Sequence, residues 1–240
     1  MNYQILMPVT VRPDLVRDKI MKVPELSRLT IVNNFIDPDI ETLCKEAEDS
    51  GAEILRFPRN LGCGASCNIG LRRVLDGTYD VVIIMAPSTD ILCDFRALLD
   101  LIEEMEDSSA GFGRYQFSPT AKNHLFAMNR TGCEIGGLYD EHFYPAYLED
   151  TDWNWRSRHN GMVGKVHHFN RPDLVGTYGY SISLSDPLIR RLHQTHSHMR
   201  SVYYQNKWGS HPPGQFIHPF NREDLDINYW EPVSHSHEIW

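Results

Sequence analysis

No run of apolar residues in this 240-residue chain approaches the roughly 18 needed to cross a bilayer. The opening residues, 1–14, lack the basic segment and long apolar stretch of a secretory leader, so the expected location is the cytoplasm. Cysteine is sparse: the five (Cys44, Cys63, Cys67, Cys93, Cys133) are odd in number and form no paired C-x-x-C clusters. That argues against a disulfide framework and a structural zinc site, and leaves reduced, mostly packed thiols. Positive charge is also short, with 23 basic residues against 32 acidic and a net charge of −9. A nucleic-acid partner held by a basic surface is thereby excluded, and a phosphorylated ligand would need a cation to bridge the charge. Neither a G-x-x-x-x-G-K-[ST] phosphate loop nor an H-E-x-x-H zinc motif occurs, and there is no internal repeat.

What is present is globular composition, 41% hydrophobic and 11% aromatic, of a length that suits one domain over 1–240. The first half alternates short apolar runs with helical patterns. Strands are expected at 3–9, 29–33, 53–57 and 79–86, and helices at 13–23, 37–50, 64–75 and 94–106. The second helix shows start and stop chemistry, with Pro38 near its beginning and Gly51 just past its end. Further strands are expected at 111–117, 125–129 and 162–169, and helices at 149–159 and 186–204. The fold class is α/β: near-continuous apolar strands joined by helices imply a mostly parallel central sheet with helices on both faces. In such sheets ligands sit at the carboxyl ends of the strands, which directs attention to the loops after Val9, Val32, Phe57 and Met85.

Four segments carry candidate chemistry. Asn60-Leu-Gly-Cys-Gly-Ala-Ser-Cys-Asn-Ile-Gly70 fails the dinucleotide fingerprint, since Cys67 stands where a glycine is needed. It reads as a glycine-punctuated strand-to-helix turn in which Asn60 and Asn68 cap the turn or meet a ligand. After the most apolar strand, Asp90 is the sole carboxylate of its turn. It either caps that turn or gives one oxygen to Mg²⁺ or Mn²⁺, whose shell substrate phosphates and waters would complete.

Tyr147-Leu-Glu-Asp-Thr-Asp-Trp-Asn-Trp-Arg156 opens a helix with Glu149, Asp150 and Asp152 beside Trp153, Trp155 and Arg156. Acids in a first turn favour the helix dipole, which accounts for one or two of the three. Asp150 is placed to accept a proton from a substrate hydroxyl, with Asp152 or Arg156 fixing its orientation and the Trp rings offering flat faces to a sugar. Histidines crowd the remainder of the chain. His193 and His196 share a helical face while His198 points elsewhere, so a phosphate contact or a single metal ligand is expected rather than a three-histidine site. The run from Lys207 to Gly214 reads as a turn-rich loop, either a lid or a terminal segment anchored by Trp208.

Taken in order, Pro8-Val-Thr10, Val32-Asn-Asn34, the 60–70 segment, an acid after the central strand, and Tyr147–Arg156 followed by Gly161 resemble the inverting family 2 glycosyltransferases over about residues 3–170. The tail from Lys207 to Asn221 resembles the closing segment of some bacterial and viral members. The resemblance implies a single glycosyltransferase A-type domain, a nucleotide-diphosphate sugar donor, a hydroxyl acceptor such as a glycan, transfer with inversion, and Mn²⁺ or Mg²⁺. It divides the chain into a nucleotide-binding half (1–110), an acceptor and catalytic half (111–175), and a C-terminal helix and lid (176–240). It places Thr10, Arg12, Asn33, Asn60, Asn68, Lys207 and Trp208 at the donor, and Asp90 with a histidine such as His198 at the metal, with His167, His168, His193 and His196 as alternatives. Asp150 would be the base, with Glu149 as the alternative, supported on the acceptor side by Asp152, Trp153 and Arg156. The metal motif is one carboxylate short, since Ser88-Thr-Asp90 stands where two acids are usual.

Two other classes compete. A sugar nucleotidyltransferase would share the sheet but typically carries a basic glycine-rich loop after the first strand, and Pro8 to Pro13 contains no glycine. A catalytically weak carbohydrate- or nucleotide-sugar-binding relative would explain the missing acid.

Overall fold

A computed structural model describes residues 1–34, 38–91, 95–106, 110–115, 124–162, 166–169, 175–177 and 186–209. The elements run β1 (Tyr3–Val9), α1 (Pro13–Lys22), β2 (Leu29–Asn33), α2 (Pro38–Asp49), β3 (Glu53–Arg56), α3 (Cys63–Leu75), β4 (Val81–Met85), β5 (Thr89–Ile91), α4 (Arg96–Glu106), β6 (Phe112–Tyr115), β7 (Leu125–Asn129), α5 (Arg130–Gly136), α6 (Glu149–His159), β8 (Val166–Phe169), β9 (Val175–Thr177) and α7 (Pro187–Trp208).

Seven strands form the main sheet in the order β3-β2-β1-β4-β7-β6-β8. The β1–β2, β1–β4, β2–β3 and β6–β8 pairings are parallel, and β7 runs antiparallel to both its neighbours. All five residues of β2, β4 and β7 are buried, as strands covered on both faces must be. Alternation along them feeds two cores. Ile5, Ile31 and Ile83 pack with α1, α2 and α4 on one face, and Leu6, Val82 and Ile84 pack with α3, α5 and α6 on the other.

The expected sheet stands, with three differences. A short helix, α5, follows β7 directly; its seven residues include two glycines, too little pattern to read, and its start is fixed by Asn129 Oδ1, which accepts from Gly132 N at 3.0 Å. A second, two-stranded sheet pairs β5 with β9 and carries Asp90 opposite Gly176. Finally, α7 runs four residues past its expected end to Trp208 and stops at Gly209, whose φ of 71° makes a left-handed cap. Lys207 and Trp208 therefore belong to a helix, not to a turn-rich loop, and the rest of the expected lid, 210–220, lies outside the described residues.

Candidate functional site

Four parallel strands deliver their C-terminal loops to one cavity of about 200 Å³. Thr10 and Arg12 come from the loop after β1, Asn34 from the end of β2, Asn60 and Gly62 from the loop after β3, and Ser88 from the turn after β4. Pro145 and Ala146, leading into α6, and His193 on α7 complete the walls. The cavity thus sits where a parallel sheet presents backbone ends and polar loops rather than packed side chains.

Local chemistry explains why the loop after β3 holds its shape. Asn60 Oδ1 accepts from Gly62 N at 2.8 Å, and Ser66 Oγ donates to Gly62 O at 2.6 Å. Asn34 bridges the same loop to β2, donating to Ser66 Oγ at 2.7 Å and accepting from Leu61 N at 3.2 Å. Gly62 has φ 85°, and a Cβ there would stand 2.9 Å from Pro145 O, so both backbone and space demand glycine. Arg12, also left-handed at φ 66°, caps α1 and makes a two-pronged ion pair with Asp14 at 2.9 and 2.6 Å. The Asp14 carboxylate holds the Arg12 guanidinium more firmly protonated and balances its charge at the cavity rim.

The sequence-expected residues divide sharply. Thr10, Arg12 and Asn60 line the cavity. Asn33 does not: its amide donates to Glu41 at 3.1 Å, and its neighbour Asn34 faces the cavity instead, a one-residue slip that strand alternation makes decisive. Asn68 is fully buried and spends its amide on Tyr139 O and Glu141 Oε1 and its carbonyl on Tyr139 N, so it ties α3 to the 139–141 segment rather than lying along a ligand.

The acid-aromatic helix is largely scaffold. Asp152 and Arg156 are completely buried and paired at 2.7 Å, and Arg156 also donates to Gly136 O and Leu138 O. Trp153 donates to Gly137 O at 2.9 Å, and its ring packs against Gly136, where any Cβ would collide with it. Lys207 Nζ meets Asp140 at 2.6 Å and Asp152 at 2.9 Å, and the Trp208 indole donates to Asp152 at 2.9 Å. Lys207 and Trp208 are buried and absent from the cavity lining, so the expected donor contacts are corrected to a clamp between α7 and α6. Asp152, Trp153 and Arg156 likewise pack inside instead of offering faces to an acceptor.

Asp150 and Glu149 start α6 in different surroundings. Asp150 is part-exposed, with Oδ1 accepting from Thr151 N at 2.7 Å. Glu149 is buried against Cys63, its Oε2 has no hydrogen-bond partner, and burial holds its carboxyl well above the usual range, with Cys63 and Asp150 adding to the shift. Cys63, whose thiol is pushed up by its hydrogen bond with Cys67 and by burial, lines the cavity together with Cys67.

Two cavity residues, Asn34 and Ser88, have no site role in the sequence reading, and His193 enters only as an alternative metal ligand. Asn34 was hidden by the register slip. Ser88 Oγ lies 2.8 Å from Nδ1 of His124, a contact across strands that spacing cannot show. His193 faces the cavity, while His198, the histidine assigned to the metal, is exposed on the opposite side of α7. The helical periodicity that separates 193 and 196 from 198 was the available signal. The side chains of His167 and His168 lie outside the described residues.

Among the described residues no group of three or more His, Cys, Asp or Glu side chains could hold a metal ion. Asp90, two residues beyond the wall residue Ser88, supplies at most one side of a hard-cation shell. The described donors alone therefore do not complete a metal shell. No described helix is long and apolar enough to cross a membrane.

No protein-family model matches the chain, and no curated protein matches it by sequence. Solved structures do match. Glucosyl-3-phosphoglycerate synthase from Mycobacterium tuberculosis, solved with Mn²⁺, uridine diphosphate and glucosyl-3-phosphoglycerate, superposes with a TM-score of 0.52 at 10% identity over 70% of this chain and 68% of that one. A mannosyltransferase from Pyrobaculum calidifontis, solved with GDP-Man and Mn²⁺, gives 0.53 at 14% identity over 88% and 66%. TarS of S. aureus, residues 1–349, gives 0.54 at 10% identity over 86% and 66%. The chain has the glycosyltransferase A-type fold.

Proposed function

We propose that this chain is an inverting glycosyltransferase that takes a sugar from a nucleotide-diphosphate donor to an acceptor hydroxyl. The observation that carries the reading is the cavity at the carboxyl ends of β1 to β4, in a fold whose solved neighbours hold nucleotide sugars or nucleoside diphosphates. Its walls combine apolar surface from Val11, Leu15 and Ile84 with polar groups from Asn34, Asn60 and Ser88, the mixture that a small-molecule site needs.

Inverting transfer requires one base that deprotonates the acceptor on the face opposite the leaving diphosphate. Asp150 suits that part, because it keeps contact with water and the positive end of α6 favours its charged form. Glu149 suits it less well, since burial holds its carboxyl well above the usual range and its side chain is closed off from water. Pro145 and Ala146 line the cavity and lead, within four residues, to Asp150 at the head of α6, which supports a place for Asp150 near the cavity mouth. The buried pairs of Asp152 with Arg156 and Lys207 hold that helix in position.

Both quoted complexes contain Mn²⁺. In this chain a divalent cation would bind as a companion of the donor, with Asp90 and the diphosphate oxygens sharing it, and would offset the charge of the departing diphosphate. The absence of a metal-ligand cluster among the described residues favours, as a second reading, a relative that binds nucleotide sugars without turning them over.

Thermal unfolding against a panel of uridine, guanosine and thymidine diphosphate sugars, with and without Mn²⁺, tests the proposal. A bound donor at 100 times its Kd adds about 2.7 kcal/mol. Stabilisation by at least one donor is expected, and none from any would refute it.

A further inference from the structure

Helix α6 begins without the usual device for starting a helix. Its cap residue, Leu148, makes no side-chain cap hydrogen bond. Leu148 and the preceding Tyr147 are both left-handed, with φ 77° and 74°. Residues that carry a Cβ avoid this region, and two in succession persist only where their surroundings hold them. Asp150, the candidate base, stands two residues further on.

The segment 143–148 is gripped from two sides. At the start of α3, Cys63 N donates to Pro145 O at 2.7 Å. On the α7 side, the ring centres of Tyr144 and His196 lie 5.1 Å apart, and those of Tyr147 and His193 4.7 Å apart. Arg200 joins these contacts. Its guanidinium donates to Tyr144 O on the segment and to His193 O within α7, both at 3.4 Å, and lies 5.9 Å from the centre of the Tyr147 ring. One planar group thus touches the helix and the segment together, a reach that the compact ammonium of a lysine does not reproduce.

For stability alone, Arg200 is an unfavourable choice. It is buried, and no carboxylate among the described residues forms an ion pair with it. Glu149 is near enough for its charge to be felt, yet burial still pulls the guanidinium below its ordinary range. An apolar side chain of similar volume would fill the space at lower cost, so the reason for a cation here lies in the conformation that it specifies.

We infer that Arg200 is a positioning residue that clamps the 144–148 segment to α7, keeps the Tyr147–Leu148 turn left-handed, and so sets the head of α6 and Asp150 with it. The inference rests on the proposed function for the part given to Asp150, whereas the clamp is read from the contacts themselves. A base misplaced by about 1 Å can cost about 10²-fold in rate, so a residue that never touches the reacting atoms still governs turnover.

The test compares wild type with Arg200→Met and Arg200→Lys in donor binding by calorimetry, in sugar transfer, and in hydrogen exchange of the Asp152 amide, which donates to Leu148 O at 2.8 Å across the first turn of α6. Arg200→Met should lower kcat by about 10- to 100-fold while the donor Kd stays within about 2-fold. Its Asp152 amide should exchange about 10-fold faster with the amides of β4 unchanged, because the opening is local. Arg200→Lys, which keeps the charge but not the fork, should recover part of both effects. Wild-type kcat and wild-type Asp152 exchange in a folded Arg200→Met overturn the inference. Donor affinity falling in step with kcat would make Arg200 a ligand contact, and equal acceleration at Asp152 and in β4 would make it ordinary support of the fold; either result overturns it too. Should Arg200→Met fail to fold, the exchange pattern of Arg200→Lys decides by the same comparison. If wild type transfers no sugar, the proposed function fails, and the exchange comparison still decides the clamp.

Discussion

Lys207 and Asp140 form an ion pair of 2.6 Å in which both side chains are buried, 4% and 2% exposed. Asp140 also accepts from His142 and from the Tyr203 hydroxyl at 2.7 Å, and these partners hold its carboxyl well below the usual range despite burial. One cation at the end of α7 thus joins the loop before α6 to Asp152 within α6. Removing it leaves two buried carboxylates short of a counter-charge. Lys207→Met should cost about 3–5 kcal/mol in urea unfolding. Unchanged stability with weakened nucleotide binding would return Lys207 to the ligand.

Gly62→Ala should destabilise by about 1–3 kcal/mol, because it combines a strained left-handed φ with a close approach to Pro145 O. The same change should weaken donor binding, since Gly62 and Pro145 both line the cavity. Denaturant melts and donor titration of the variant check both effects, and wild-type values in either would contradict the local account.

The sequence alone disclosed the strands of the main sheet, most helices and the edge of the sheet where the cavity opens, because β1 to β4 and α1 to α3 obey simple periodicity, but not β5 and β9. It misjudged side chains whose roles depend on contacts distant in the chain. Asp152, Trp153 and Arg156 look like a reactive cluster in one dimension, yet their partners at 136–138 and 207–208 make them a core. Asn33 and Asn34 differ only in which face of a strand end they occupy, and His193 and His198 only in helical phase. Helical periodicity separates the two histidines, but which face meets the cavity, like the choice between Asn33 and Asn34, is set by the packing of the whole fold.

The two acids at the head of α6 should separate by mutation. Asp150→Asn should keep donor binding and lower transfer by roughly 10²–10⁴-fold, the worth of a positioned base. Glu149→Gln should leave turnover near wild type and raise the thermal midpoint at pH 7. The folded chain holds the Glu149 proton to higher pH than the unfolded chain, which releases it around its ordinary value of 4.5. Wild-type stability is therefore eroded as pH rises through that value, and the amide removes this penalty. Loss of turnover in Glu149→Gln alone would exchange the two roles.

His193 predicts an acid-side loss of stability. Its folded value is pushed down from 6.5 to about 4, chiefly by burial, so between those limits the unfolded state binds the extra proton. Stability should fall as pH drops from about 6.5 towards 4, by on the order of 2–3 kcal/mol from this group. Urea midpoints of wild type and His193→Gln across that range should diverge, with the variant showing the shallower slope. Parallel profiles would mean that the imidazole is not held neutral.

The most direct measurement of the central claim is release of nucleoside diphosphate from a panel of nucleotide sugars by the purified chain with Mn²⁺, alongside Asp150→Asn. The account predicts release from at least one donor, and its near-abolition in the variant while the variant still binds that donor. Absence of both binding and release across the panel, or equal release by the two proteins, would contradict it.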